Sequence, residues 1–221
     1  VCCMKKVKEI LNHIFIDGLS GMALGLFATL IVGTIITQAG SLIGGIAGHY
    51  LVIFGKLAQA LTGAGIGVGV AYKYKESPLV TISAAVAGLV GAFASKIIAG
   101  TVLADGVITL AGPGVPLGAF IAAFVAVTCG HIVSGKTKID ILITPVTTIL
   151  TGSIVGIIVG PPISEFMIKL GELINWGTAQ QPLLMGIIVS VLMGMILTLP
   201  ISSAALGIIL NLSGLAAGAA T

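Results

Sequence analysis

The sequence predicts an all-helical, polytopic membrane protein with about seven spans. Three observations carry that reading. Of the 221 residues, 57% are hydrophobic and 8% are charged. Soluble domains carry about 25% charged residues, and one of this size could not hide so much apolar surface. The apolar runs are about 20 residues long, the length of a bilayer-crossing helix, and lack the alternation of a β-barrel. The lysines fall in short groups between those runs, as orientation signals do. A soluble enzyme, a nucleic-acid binder and a disordered chain are excluded. The net charge of +3 comes from scattered lysines, with no arginine anywhere.

Span one is expected over residues 15–37. Its apolar core exceeds the 7–15 residues usual in a secretory signal, so it reads as uncleaved. Span two, over 41–72, is too long for one simple helix. It holds Lys56, and Gly63, Gly65, Gly67 and Gly69 follow at every second position, which marks a break. Span three is expected over 78–95, span four over 116–134 and span five over 140–163, where Pro161–Pro162 closes it. Spans six and seven are expected over 182–200 and 203–221. Residues 104–118, with Pro113 and Pro116 among glycines, and 198–206, with Pro200, Ser202 and Ser203, read as broken or re-entrant. Non-helical backbone at membrane depth needs protein or a watery cavity around it.

With these spans, Lys5, Lys6 and Lys8, then Lys73 and Lys75, then Lys136 and Lys138 fall on one side. The positive-inside rule makes that side cytoplasmic and places the N-terminus there. Asp105, Glu165 and Glu172 fall opposite, with Lys169 and Lys96. Tyr72, Tyr74 and Trp176 suit the aromatic belts. Gly40, Gly44 and Gly48 form GxxxGxxxG, and Gly152, Gly156 and Gly160 repeat it. An inverted duplication and close helix packing both fit that pattern.

Residues 1–221 read as a single membrane domain. "MKKVKEI" at Met4 resembles a bacterial start, which leaves the native status of residues 1–3 open. The chain ends inside an Ala/Gly-rich run and is expected to be the N-terminal part of a longer protein. Cys129 reads as a small core residue, and lipidation is the lesser reading for Cys2 and Cys3.

Ionisable groups inside a bilayer are costly and are functional candidates by default. His49, Asp105, His131 and Glu165 are such groups. With Ser202, Ser203 and Asn211 they form the candidate substrate-binding set, because carboxylates, imidazoles, amides and hydroxyls pair with sugar hydroxyls. Gln180 and Gln181 have suitable chemistry too, and Lys56 can snorkel. Each also has a bland reading as a packing or solvated residue. No Walker A, HExxH, GxSxG or metal-spaced Cys/His cluster appears. Neither catalytic residues, nor a metal, nor a cofactor is expected.

"DGLSGMALGLFATLIVGTI" (17–35), "GKTKIDILITPVTTIL" (135–150) and "LTLPISSAALGIILNLSGLAAGAAT" (197–221) resemble the enzyme IIC-type membrane proteins of the bacterial phosphotransferase system. The branch is the one that includes the perfringolysin O regulator protein, and the resemblance runs from about Met4 to the end. It implies a bacterial plasma-membrane protein that binds a carbohydrate and exposes it inside. A separate IIB subunit, charged through IIA, would then phosphorylate the sugar. It also implies a homodimer. It assigns no binding residues. Lys73, Lys75, Lys136 and Lys138 would suit an acidic partner surface, although the positive-inside rule alone also explains them. The competing readings are a membrane regulator or sensor that keeps the IIC fold without transport, and an ion-coupled secondary transporter.

Overall fold

Residues without a Cβ, or with only a methyl group, decide how these helices meet. The computed structural model describes residues 17–104, 107–110, 112–136, 139–178 and 190–191. Spans six and seven therefore lie outside the described residues, Ser190 and Val191 apart. The chain divides into two compact units between Pro161 and Pro162.

In the first unit, α1 (Leu19–Leu26) runs through a π-helical turn, Phe27–Ile31, into α2 (Val32–Ile43). Together they make a 25-residue apolar span, longer at its C-terminal end than the sequence suggests. Gly44 then reverses the chain, with φ 65° and ψ −172°, a conformation essentially reserved for glycine. The return limb is α3 (Gly45–Ala60) and α4 (Thr62–Lys73), bent by 54°.

The break expected in span two is real but lies at Leu61, one residue before α4 begins. The four alternating glycines stay helical instead. Two residues turn a helix by about 200°, so Gly63 and Gly67 face one way and Gly65 and Gly69 face the other. A Cβ on Gly67 would sit 2.7 Å from the Ala84 carbonyl carbon, and one on Gly63 would sit 2.8 Å from the Gly88 oxygen. On the opposite side, the Gly21 and Gly25 positions meet the backbone of Gly69 and Gly65. Alternation thus builds two packing ridges rather than a weak point. Ile66 and Val70 of α4 are fully buried between its neighbours.

The next helix, α5 (Pro78–Ala92), opens with Ser77 as N-cap and Pro78 in the first turn, a favoured start. Its 15 residues reach about 22 Å, short of a ~30 Å hydrocarbon core. A short helix, α6 (Ala94–Ile98), and a two-residue antiparallel pair, β1 (Leu103–Ala104) with β2 (Val107–Ile108), follow. The chain folds back over the end of α5, where the Val115 N–H donates to the Ala92 carbonyl at 2.8 Å. Gly114, at φ 71°, allows this approach: a Cβ there would meet the Ala92 oxygen at 2.7 Å. The break expected over 104–118 is therefore present, and α7 (Pro116–Val133) starts at its end.

The next helix, α8 (Asp140–Thr178), is 39 residues long. Pro161–Pro162 does not close it. A proline clashes with the Cβ of the residue before it, and that residue is Gly160, which has none. Pro161 in turn has a φ suited to a helix. Gly152 and Gly156 of α8 pack on Ala122 of α7, and Gly160 packs on Ala94. The second GxxxGxxxG is thus a true helix ridge. The first bends around Gly44 and brings Gly40 and Gly48 face to face across the turn.

Among the described residues, three helices are long and apolar enough to cross a membrane, or four if the bent pair counts as one span. The described chain is all-helical apart from the two-residue pair, a polytopic arrangement with broken segments.

Overpacking the α4–α5 contact should cost about 1–3 kcal/mol. Gly67→Val should therefore lower the thermal midpoint in detergent, read by fluorescence-detected size exclusion. Substitution of its exposed neighbour, Val68→Leu, should leave that midpoint nearly unchanged.

Candidate functional site

Five helix ends of the first unit gather at one end of the bundle. A Cβ on Gly18, just before α1, would lie 2.7 Å from the Tyr74 hydroxyl that closes α4. His131, near the end of α7, holds Glu76 of the α4–α5 loop, with Nδ1 at 3.0 Å from Oε1 and 3.2 Å from Oε2. The carboxylate is almost buried and the imidazole is exposed. The Ser77 and Ser134 hydroxyls meet at 3.1 Å. The Gly135 N–H donates to Asp140 Oδ1 at 3.0 Å, and Thr144 Oγ1 donates to the same oxygen at 2.6 Å. Around these pairs Lys73, Lys75 and Lys136 stand exposed. Lys96 belongs to the other end, where its Nζ lies 5.4 Å from the Phe93 ring centroid.

The Tyr74 hydroxyl titrates far above its usual range. Burial favours the neutral phenol, and the Asp17 carboxylate adds to the effect, so its pKa is pushed up to about 12.

The opposite half of the span pair is the π turn and the α2–α3 hairpin, and it carries a series of polar side chains. Thr29, Thr34 and Thr37 donate to the carbonyls four residues earlier, at 2.7, 2.7 and 2.8 Å. Such back-bonds satisfy the hydroxyl proton within its own helix. Gln59 Nε2 donates to Thr34 Oγ1 at 3.2 Å across the hairpin, and Thr62 Oγ1 donates to the Gln59 carbonyl at 2.6 Å. The π turn lies directly against the Leu61 break, with the Thr29 methyl 2.6 Å from where a Gly65 Cβ would be. π turns inside α-helices recur at functional sites.

Residues 16–221 match the family described as Phosphotransferase system, EIIC. The chain belongs to the phosphotransferase system EIIC family. No curated protein and no solved structure matches it.

Three members of the candidate set of this EIIC chain, His49, His131 and Glu165, lie among the described residues. His131 lies in the lysine-rich end, paired with Glu76. His49 is exposed on α3, one turn past the Gly44 reversal, with the Tyr50 ring edge-on at 6.2 Å. The fold puts these two histidines at opposite ends of the first unit. Glu165 is exposed on α8 in the second unit. Asp105, Ser202, Ser203, Asn211, Lys138, Gln180 and Gln181 lie outside the described residues. Among the described residues no cluster of three or more His, Cys, Asp or Glu converges as a metal site would.

Sequence reasoning missed Glu76 and Gln59. Glu76 stands just after Lys73 and Lys75 in the α4–α5 loop. Its partner is 55 residues away, which no local pattern reveals. Gln59 could have been found from its helical spacing to His49 and Lys56.

The folded state holds the Tyr74 proton more tightly than the unfolded chain does. That contribution is complete below pH 10.0 and fades as pH rises towards about 12. Asp17→Asn should lower the Tyr74 midpoint, read as the 295 nm titration difference against Tyr74→Phe. An unchanged midpoint would mean Asp17 does not act on the phenol.

Proposed function

We propose that this chain is the membrane subunit of a phosphoenolpyruvate-dependent sugar phosphotransferase system, one that binds a carbohydrate and translocates it for phosphorylation by a separate IIB subunit. The observation that carries this reading is the EIIC match over residues 16–221. An EIIC is a membrane component of the phosphotransferase system, and the described helices are apolar enough to serve as one. In this reading His49 and Glu165 take part in sugar contact, together with Asp105, Ser202, Ser203 and Asn211. Trapping the sugar as its phosphate keeps uptake favourable.

The protein sits in the bacterial plasma membrane with its lysine-rich end, and its N-terminus, in the cytoplasm. Lys73, Lys75, Lys136 and Lys138 then face the IIB and IIA proteins, and positive charge there would steer an acidic partner surface. Glu76 supports this use of the end. Its pairing with His131 removes a carboxylate from competition with the docking partner. The working unit is a homodimer.

Uptake of radiolabelled hexoses, hexosamines and hexitols by cells expressing the full-length protein tests the reading. One sugar should accumulate as its phosphate, and only in cells with an intact phosphotransferase system. Uptake that follows an ion gradient without phosphoenolpyruvate would replace this reading with a secondary transporter. Absence of uptake with confirmed membrane insertion would replace it with a regulator.

The docking role is tested separately. The variant Lys73→Glu/Lys75→Glu/Lys136→Glu should slow IIB-dependent sugar phosphorylation about tenfold at low salt. The loss should shrink as salt screens the wild-type attraction. Equal rates at all ionic strengths would remove the lysines from docking.

A further inference from the structure

The α2–α3 hairpin has one polar face and one apolar face. On α3, His49, Lys56 and Gln59 stand at spacings of seven and three residues, within about 80° of arc at 100° per residue. On α2, Thr34, Gln38 and Ser41 stand at spacings of four and three, within about 60°. The Gly44 reversal makes the helices antiparallel, so the same edge of the contact seam is shared by both stripes. The hydrogen bond from Gln59 to Thr34 joins them. Gln38, Ser41, His49 and Lys56 are exposed. The other side of the hairpin presents Ile43 and Phe54, 63% and 57% exposed.

Hydrocarbon cannot wet such a face. Gln59 uses one of its two side-chain N–H donors on Thr34, and its side-chain amide oxygen accepts from no described residue. Lys56 makes no hydrogen bond or ion pair with a described residue. Polar groups left in lipid without partners each cost several kcal/mol. The stripe also has a direction. It begins at Ser41 and His49 beside the Gly44 reversal, the end away from the lysines. It runs down through Gln38 and Lys56 to Gln59, and stops where the π turn meets the Leu61 break.

We infer that this face lines a water-filled vestibule open at the end away from the lysines, with the π turn and the Leu61 break as its floor, and that a hydroxylated solute makes its first contacts there. The donors and acceptors present, an amide, an imidazole, an ammonium and hydroxyl oxygens, match a polyol. The solute rests on the permease reading above; the watery wall does not.

Cysteine accessibility tests both parts in the full-length protein with its native cysteines replaced. Gln38→Cys, Ser41→Cys and Gln59→Cys should react about tenfold faster than Ile43→Cys and Phe54→Cys with a membrane-impermeant cationic thiosulfonate. The first two polar positions are exposed, so their substitution leaves the glycine seam intact. In right-side-out cells the reagent should reach the polar positions when the lysine-rich end is cytoplasmic. Any sugar that the cells take up should slow the reaction at Gln59→Cys.

Equal reactivity on the two faces would overturn the vestibule, as would access from the lysine end alone. Reaction that a transported sugar fails to slow would overturn the solute contact. A reactive polar face in cells that take up no sugar would uphold the vestibule and defeat the permease reading.

Discussion

The packing of α1 and α5, and through α5 of α7 and α8, depends on α4 being able to touch a backbone on each of two opposite sides. Between helices in lipid there is no hydrophobic drive, because the surrounding tails are as apolar as leucine. Attraction comes from close packing, which falls off steeply with distance. Gly63 and Gly67 bring α5 to backbone contact, and Gly65 and Gly69 do the same for α1. One helix thereby fixes two neighbours, and α5 passes the arrangement on through Gly91, which meets Gly118 of α7 and Gly156 of α8. Larger residues at the α4 positions would separate both seams together.

That arrangement decides which chemistry meets at the lysine-rich end. Placing α1 and α4 side by side sets Asp17 near Tyr74. Placing α5 and α7 side by side sets Glu76 against His131 and Ser77 against Ser134. These contacts join loops far apart in sequence, and they follow from glycine seams deep in the helices. The Lys73, Lys75 and Lys136 positions share one end because α5 leads away from it and α7 returns to it.

Much of this was legible in the sequence, and the failures have physical causes. Composition and run length sufficed for the helical membrane class, and Pro113, Gly114 and Pro116 marked the break before α7. The glycine alternation was visible but misread, because helix propensity penalises glycine while packing at a seam rewards it. The same trade explains Pro161: its cost was foreseen, whereas the relief supplied by Gly160 was not. The two GxxxGxxxG motifs looked alike, yet only dihedral angles separate a ridge from a reversal. Of the candidate site, His131 was recognised without its partner. Glu76 had no local signal at all, because a contact across 55 residues is set by topology.

The polar side chains at membrane depth differ in what they demand. A threonine hydroxyl that donates to the carbonyl one turn back has met its main need inside its own helix. Thr29, Thr34 and Thr37 do this on the first span, and Thr147, Thr148 and Thr151 do it on α8. Such residues can face lipid or protein at little cost. An amide with two donors and an acceptor, or an ammonium with three donors, cannot be satisfied that way. Gln59 and Lys56 are of this second kind, and so is Gln38. They share one side of the hairpin, where Thr34 supplies Gln59 with a single acceptor. Three demanding side chains on one face, with apolar residues on the other, describe a surface that water must reach.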